Sequence, residues 1–467
     1  MSIAAILLAL WCYNPWLLYF LNDDFIHIPL SEKVEFLQHN SFRPVCDLSI
    51  MLDYKIWGKE AWGYHFTNLL LHSINTVLVY YCCMVFCKKY HAEKPILFCT
   101  ISSVLFFVYA NHSEAVFWIL GRSAMLGMLF FLLALIFYTN RKNYIAFAVM
   151  ILMCWLGWCS YESTWIIIFI APLISFADCR AGIASRKKEV ITGLIILINF
   201  TIYLGIRYAY IKEIVGPYEA AAFIQNNYPV LWGNFLRLLM RIWLPYSDNS
   251  TMLIIIFTVL ISAICLLIFN QKSKALKKVY LYLLSGLMIS LLPYLSLGID
   301  TKGTESERFL YLPSLFAIGL IAHMLVNMKK ESYRLICFGS IILMQLVFLK
   351  KNAGSYQYAG AITRTFSEVL NSLPLKSSLY VDSVPQTIRG ALILREGLAE
   401  SVKWMGENDS LVYYSNQQNR MTVQNKYSFH QTRIMEEIPG VNSSLSLPMN
   451  AIYMKFTDSV LWVYQKE

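Results

Sequence analysis

Charged residues are scarce in this chain. Only 15% of its 467 residues are Asp, Glu, Lys or Arg, whereas 57% are hydrophobic, and the mean hydropathy is +0.50. A soluble domain of this length carries far more charge on its surface. The composition therefore excludes a soluble globular protein and indicates one that crosses a membrane many times.

Cysteine is missing from the last part of the chain. All eleven cysteines lie between Cys12 and Cys337, nearly all in apolar stretches, and no CxxC pair occurs. The tail therefore has no disulfide framework, and nothing in the chain has the spacing of a structural zinc site. Internal repeats of 20–50 residues and low-complexity tracts are missing as well, which argues against a solenoid.

The apolar stretches predict about eleven transmembrane helices, since a helix needs roughly 17–25 apolar residues to cross a bilayer. The first stretch, residues 1–21, lacks both a basic start and a small-residue cleavage site. We therefore expect it to be a retained helix rather than a signal peptide. The other stretches lie near 66–87, 95–110, 122–139, 144–160, 164–178, 189–209, 251–269, 279–297, 308–327 and 333–350.

Basic residues alternate between the two sets of connecting loops. One set, which begins with 88–94 and 140–143, holds sixteen Lys and Arg, while the longer loops of the other set hold eight. Lys and Arg are retained on the cytoplasmic side of a membrane. The pattern predicts a cytoplasmic amino terminus and places both the loop with Asp23 and Asp24 and the tail outside. The net charge of +10 thus requires no nucleic-acid partner.

The chain becomes more polar after about residue 370. We expect an α-helical polytopic membrane domain over residues 1–350 and a small extracytoplasmic α/β domain over residues 370–467. The expected elements of the tail are strands at 379–384 and 411–414, a helix at 390–405 and a closing strand pair at 451–464.

Titratable and polar side chains collect at the predicted outer ends of the helices. Asp23 and Asp24 follow the first apolar stretch directly, and an aspartate pair there needs water, a cation or a basic ligand. The helix after them has polar residues three and four apart, which share one face and should point into the protein. That polar stripe consists of His65, Asn68, His72 and Asn75.

The location of these groups favours a reaction at the outer leaflet over a transport path, because a transport path needs polar residues near mid-membrane. The outward segments each contribute acidic, basic or imidazole side chains that a helical bundle can bring together. The complete set is Asp23, Asp24, Arg43, His65, His112, Glu114, Arg122, Glu162, Glu307 and Arg308.

Three ordered segments resemble the protein O-mannosyltransferases that carry tetratricopeptide repeats, whose membrane domain has the GT-C glycosyltransferase fold. The chain departs from that family in having no such repeats and in having Tyr161 where a lysine often precedes the glutamate. Its tail resembles those that end some bacterial polyprenyl-phosphate-sugar transferases, which favours a bacterial inner membrane. The matching residues are Asp23-Asp24, Phe42-Arg43-Pro44 and Trp62-Gly63-Tyr64-His65, then His112-x-Glu114 with Gly121-Arg122, and finally Glu307-Arg308-Phe309-Leu310-Tyr311-Leu312-Pro313-Ser314.

The resemblance implies an integral membrane glycosyltransferase. Such an enzyme moves a sugar, for which a hexose such as mannose is the family-based expectation, from a polyprenyl-phosphate donor to an acceptor hydroxyl, with inversion. The acceptor would be a protein, a lipid or a glycan. A carboxylate must take the proton of the attacking hydroxyl, and fixed cations must stabilise the leaving phosphate.

The resemblance also assigns expected roles to the matching residues. Asp24 or Asp23 is the expected base, with Asp24 favoured because it lies further into the loop. A divalent cation on this aspartate pair, Mg²⁺ or Mn²⁺, would serve the phosphate equally well. Arg308, then Arg122 and Arg43, are expected at the donor phosphate, and His65, His112, Glu114, Glu162 and Glu307 at the sugar or acceptor.

Each motif also has a purely structural interpretation. The aspartate pair would cap a helix, and the polar stripe would hydrogen-bond between helices. Glu307 and Arg308 would form an ion pair, and Glu162 would cap the next span.

Two arginines and the overall function have alternatives of their own. Arg237 and Arg241 lie four apart on an amphipathic segment, and we expect them to be interfacial anchors that extend toward water. At the level of function, the alternatives are a transporter of lipid-linked glycans and a glycan polymerase or ligase that uses pyrophosphate donors.

Overall fold

The computed structural model describes residues 10–32, 41–212, 227–372, 378–382, 387–406, 451–457 and 460–465. Within these ranges the chain is helical as far as Ser372, and strands occur only after it. The helices before the tail are α1 (Asp24–Glu32), α2 (Pro44–Trp57), α3 (Ala61–Lys89), α4 (Pro95–Val108), α5 (Ser113–Phe117), α6 (Arg122–Thr139), α7 (Tyr144–Trp158), α8 (Ile167–Arg180), α9 (Arg186–Ile211), α10 (Tyr228–Arg241), α11 (Ser250–Phe269), α12 (Lys274–Leu291), α13 (Ser314–Val326) and α14 (Glu331–Ser372).

Long apolar helices make this an integral, multi-pass membrane protein. Among the described residues six helices are long and apolar enough to cross a bilayer, or seven if α4 and the bent segment Ala110–Phe117, at 56° to it, form one span. The helices α7, α11 and α13 are apolar but shorter. The expected count of eleven is therefore not confirmed, and residues 1–9 of the first expected span lie outside the described residues.

The last apolar stretch belongs to a helix of 42 residues, α14. We expected a span to end at 350, where the continuous apolar run stops, but the helix continues to Ser372. Its second half is amphipathic and buries Ala353, Tyr356, Ala359 and Phe366 on one face. A helix with a buried stripe of this kind continues even where no apolar run remains.

The polar stripe of α3 faces the protein interior, as its spacing predicts. Asn68 Nδ2 donates to the carbonyl of Trp118 at 3.0 Å, and Asn75 Nδ2 donates to the carbonyl of Met125 at 2.9 Å. His72 Nδ1 is 2.8 Å from the hydroxyl of Tyr311. The structural interpretation of this stripe is therefore confirmed at these positions. These bonds fix α3 against the turns that carry the outer charged residues.

The described part of the tail contains two small sheets and one helix. Strand β1 (Ser378–Asp382) pairs in parallel with β4 (Ala451–Thr457), which pairs antiparallel with β5 (Val460–Gln465). The remaining elements are the hairpin of β2 (Thr387–Ile388) and β3 (Ala391–Leu392), and α15 (Leu398–Gly406).

These elements match the expected strands at 379–384 and 451–464. The helix expected over 390–405 is wrong in its first half, because residues 391–392 pair as a strand and Gly397 has φ +77°, outside the helical region. The strand expected at 411–414 lies outside the described residues. A separate α/β domain over 370–467 stays a prediction.

Candidate active site

Arg308 is held in place by Glu114. It lies on a 3₁₀ turn, Glu307–Leu310, and its backbone N–H donates to Glu114 Oε2 at 2.9 Å while its guanidinium pairs with Oε1. The guanidinium also lies 5.1 Å from the centre of the Trp118 ring. Burial alone would lower the pKa of Arg308, but the Glu114 carboxylate raises it. Arg308 is thus a permanent cation in a fixed position.

Arg43 approaches the same region from the start of α2. It donates to Glu162 Oε2 from Nε at 3.0 Å and from Nη2 at 2.8 Å, and it lies over the Tyr161 ring. Arg207 Nη1 binds the other oxygen of Glu162 at 3.1 Å. Arg308 is within electrostatic range of both Arg43 and Tyr161. The two guanidiniums therefore share one electrostatic environment, and each is paired with its own buried carboxylate.

Asp23 is the carboxyl that shares this environment. It is half-buried and accepts a 2.7 Å hydrogen bond from Asn22 Nδ2. Burial, and after it the Glu396 carboxyl, raise the pKa of Asp23, and Arg308 and Arg395 lower it, so that together they bring it to about 7. A carboxyl with a pKa near neutrality is suited to general-base chemistry.

We term Asp23, Arg43, Glu114, Glu162 and Arg308 the outer charged cluster. Its arginines differ from most others near it in exposure: the side chains of Arg43 and Arg308 remain 28% and 24% exposed, whereas those of Arg122 and Arg241 are fully buried. Only an exposed guanidinium can contact a ligand without rearrangement. The cluster can therefore present two cations and one carboxyl to an incoming phosphate ester.

Asp24 has a different environment from Asp23. It is completely buried, and its Oδ2 accepts the backbone N–H of Leu21 at 2.9 Å. Burial raises its pKa well above the ordinary value, and Arg122 opposes that shift only in part. Because Leu21 precedes α1, this bond fixes the loop before the helix and is not a cap on the first N–H groups of the helix.

The other expected phosphate ligand, Arg122, lies inside the protein. Its Nε donates to Asn68 Oδ1 at 2.8 Å, and its Nη2 binds Asp53 at 2.5 Å and the carbonyl of Tyr64 at 3.0 Å. These contacts join α2, α3 and α6. The structure therefore uses Arg122 for buried contacts and leaves none of its side chain exposed.

Both expected histidines are also internal. His65 Nε2 is 3.2 Å from the carbonyl of Tyr19, and His112 Nε2 is 2.8 Å from Ser314 Oγ. His112 is surrounded by the rings of Phe106 and Tyr311, 4.6 and 4.4 Å away by ring centres. Neither imidazole is brought to the outer charged cluster.

Glu307 and Arg308 do not pair with each other. Glu307 is completely buried and binds Arg241 Nη2 at 2.5 Å. Arg308 binds Glu114 instead, so the two consecutive residues have different partners. Burial raises the pKa of Glu307 to about 8, against the lowering effect of Arg241. The ion pair expected between neighbours is therefore wrong, and so is the interfacial position of Arg241, because its partner lies in the interior.

The two aspartates have different hydrogen-bond partners. Asp23 is bound by Asn22 and Asp24 by Leu21, although they are consecutive. Within the described ranges, no three His, Cys, Asp or Glu side chains come together as a metal site needs. The positive charge near Asp23 comes from Arg308 and Arg395.

Sequence reasoning did not single out Glu396 or Asn22. Glu396 follows the first loop by more than 370 residues, and its backbone N–H donates to Asn22 Oδ1 at 2.7 Å. No spacing in the chain signals such a contact. Asn22 has φ +49°, a conformation that asparagine tolerates better than most residues, and this was the one local signal available.

Comparison with known proteins places the chain beside one group of enzymes. The human protein O-mannosyl-transferase TMTC3 is 32% identical over 122 residues, which is 26% of this chain and 12% of that protein. A protein O-mannosyl-transferase of Caenorhabditis elegans is 27% identical over 309 residues, 59% of this chain and 41% of that protein. The chain is similar to the protein O-mannosyl-transferases. The expected resemblance to this family is thus confirmed.

These relatives are longer proteins, and the chain spans less than half the length of each of the two. No protein-family profile matches it. Among solved structures, ArnT from Cupriavidus metallidurans bound to undecaprenyl phosphate has a TM-score of 0.49 at 10% identity, covering 87% of both chains.

Proposed function

We propose that this protein is a membrane glycosyltransferase that transfers a hexose, mannose by similarity, from a polyprenyl-phosphate donor to an acceptor hydroxyl at the extracytoplasmic surface. The observation that carries the proposal is the outer charged cluster, where Asp23 lies within electrostatic range of Arg308 and Arg308 within range of Arg43. The similarity of the chain to protein O-mannosyl-transferases supports the same chemistry.

The chemistry assigns one role to each part of the cluster. Asp23 takes the proton of the acceptor hydroxyl as its oxygen attacks the anomeric carbon. The bond from that carbon to the phosphate oxygen breaks, and the lipid phosphate leaves with the electron pair. Attack from the face opposite the phosphate inverts the anomeric carbon. Arg308 and Arg43 stabilise the charge that develops on the phosphate, and Glu114 and Glu162 hold them.

We place the base at Asp23, although its position in the loop favours Asp24 by sequence. Asp24 is fully buried against Leu21, so an acceptor hydroxyl cannot reach it without opening the loop. Asp23 retains exposed surface and lies beside the cations. The proposal needs no divalent cation, because the guanidiniums supply the positive charge.

The transporter alternative has less support. A transport path needs polar groups lining a central passage, but His72 and Asn75, the deepest residues of the stripe, bind α4, α6 and the Tyr311 turn instead. Supplying monophosphate-linked and diphosphate-linked donors separately distinguishes the transferase from a polymerase or ligase.

The test compares two isosteric substitutions in purified protein given polyprenyl-phosphate mannose. Asp23→Asn should reduce transfer by about 10²–10⁴-fold, the usual contribution of a general base. Asp24→Asn should retain transfer, because the substituted amide keeps an oxygen that accepts the Leu21 N–H. Thermal unfolding of both variants is the control. Full transfer by a folded Asp23→Asn protein would remove the proposed base.

A further inference from the structure

One segment of the tail returns to the first loop. Residues 387–406, which we term the returning segment, contact the membrane domain at several places. Asn22 N–H donates to the carbonyl of Ile393 at 2.7 Å, and Lys59 Nζ donates to the carbonyl of Trp404 at 2.9 Å. The Trp404 ring packs 5.1 Å from that of Phe20. The segment thus lies against the loop that carries Asp23.

The fit of this segment depends on two glycines with positive φ. A Cβ at Gly397 would lie 2.5 Å from the carbonyl oxygen of Asn22, and one at Gly390 would lie 2.1 Å from the nitrogen of Thr304. Real Cβ atoms do not approach backbone so closely, so larger residues would displace the segment from both loops. The docked position is therefore specified by the sequence.

The docked segment brings a second carboxyl to Asp23. Glu396 makes a side-chain hydrogen bond with Asp23, and its backbone N–H binds the same Asn22 side chain that donates to Asp23 Oδ1. Asp23 is half-buried, whereas Glu396 is exposed to solvent. Asn22 therefore holds the Asp23 carboxyl directly and holds Glu396 through its backbone.

We propose that Glu396 is a positioning residue that holds the Asp23 carboxyl and conducts its proton from the outer charged cluster to water. This inference rests on the proposed function. The groups that face Asp23 are Glu396 and Arg395 from the returning segment, Arg308 from the turn before α13, and its neighbour Asp24. Glu396 is the one among them that is both a proton acceptor and open to solvent.

The transfer reaction releases a proton, and Glu396 would pass that proton from Asp23 to water. A donor phosphodiester carries one negative charge, and the released lipid phosphate carries up to two near neutral pH. Each transfer therefore yields about one proton, which Asp23 takes from the acceptor hydroxyl. The Asp23 O–H then donates to the Glu396 carboxylate, Glu396 accepts the proton and releases it to water, and Asp23 is again a carboxylate.

The decisive variant is Glu396→Gln, which keeps the size and a hydrogen-bonding oxygen but cannot take up the proton. Its matched control is Glu305→Gln, because Glu305 anchors the same segment through a 2.9 Å ion pair with Arg395 without being a partner of Asp23. Transfer rates are measured from acid to alkaline pH for both variants and the parent protein.

The rate of the parent should rise with pH as Asp23 loses its proton. In Glu396→Gln the loss of the neighbouring negative charge should move this rise to lower pH by roughly one unit, and the plateau should fall several-fold because the base is weaker. Glu305→Gln should leave the position of the rise unchanged. Equal pH profiles for Glu396→Gln and the parent would overturn the inference.

Infrared titration of the folded protein tests the carboxyl pair without turnover. The part of the protonated-carboxyl band that disappears near pH 7 should vanish in Asp23→Asn and move to lower pH in Glu396→Gln, whereas the part that Glu307 contributes near pH 8 should remain in both. If the band behaves in this way but no donor supports transfer, the proposed function fails while the pair stands. If transfer occurs and the band is unaffected by Glu396→Gln, only the role of Glu396 fails.

Discussion

Arg308 and Glu114 bind each other so closely that substitution of either one changes both the stability of the protein and its transfer activity. Glu114 is 3% exposed by its side chain and receives both the backbone N–H and the guanidinium of Arg308. Removing the guanidinium leaves a buried carboxylate without its cation, which typically costs about 3–5 kcal/mol. Loss of activity in a single variant would therefore be ambiguous.

A double variant separates the two effects. Arg308→Gln should lower the free energy of unfolding by the amount above and reduce transfer by about 10²–10³-fold, as expected when a donor to a developing oxyanion is lost. Arg308→Gln combined with Glu114→Gln should recover most of the stability, because both buried charges are gone, but none of the transfer. Denaturant unfolding and transfer rates, measured on the same preparations, distinguish the role of Arg308 in stability from its role in transfer. If the double variant regains transfer along with stability, Arg308 acts only in folding.

At the scale of the helices, the ends opposite the outer charged cluster are joined by a second ionic network. Asp178 at the end of α8 binds Lys89 Nζ of α3 at 2.7 Å and Arg141 Nη2 after α6 at 2.6 Å. Arg141 also binds Glu189 of α9 at 2.6 Å. Two cations and two carboxylates thus connect three helices with the loop after α6, and the side chains are 11% exposed or less.

This second ionic network should stabilise the helical bundle without contributing to transfer. Asp178→Asn leaves Lys89 and Arg141 to share one carboxylate, so we expect a loss of about 3–5 kcal/mol in unfolding free energy. The KM for donor and acceptor should not change. Glu331→Gln is the control, because Glu331 pairs with Arg334 at the surface, is 75% exposed, and should cause no measurable loss. An unchanged unfolding midpoint in Asp178→Asn would show that the network is not stabilising.

The elements show which parts of the fold the sequence predicts. Helix positions and the inward face of α3 follow from apolar runs and from the spacing of polar residues, both of which are local. The second half of α14 was missed because its stripe is amphipathic rather than apolar. Arg241 was misplaced because its partner Glu307 is 66 residues away. Local patterns identify a polar residue on a helix but not the charge that meets it.

The candidate site is a property of the whole molecule. Its matched residues, including Asp23, Arg43 and Arg308, were predicted because they occur in the outer loops and in shared motifs. The division of roles between Asp23 and Asp24 was not, because only the packing around α1 exposes one and buries the other. Glu396 was missed because the tail meets the first loop through contacts that no periodicity encodes.

The orientation of the molecule determines from which side a lipid-linked donor enters. The loop charges predict that the turn before α13 lies outside and that the connection between α6 and α7 lies inside. Two exposed lysines mark these places, Lys302 outside and Lys142 inside. Lys302→Cys should react with a membrane-impermeant maleimide on intact cells, whereas Lys142→Cys should react only after permeabilisation.

The parent protein contains eleven cysteines of its own, so its labelling must be measured as the background of this experiment. Six of them are buried within the structure, and exposed Cys265 lies on the apolar helix α11, which an impermeant reagent reaches poorly. If Lys142→Cys were labelled in intact cells and Lys302→Cys were not, the predicted orientation would be wrong. The outer charged cluster would then face the cytoplasm, and the donor sugar and the proton released at Glu396 would both belong to that side.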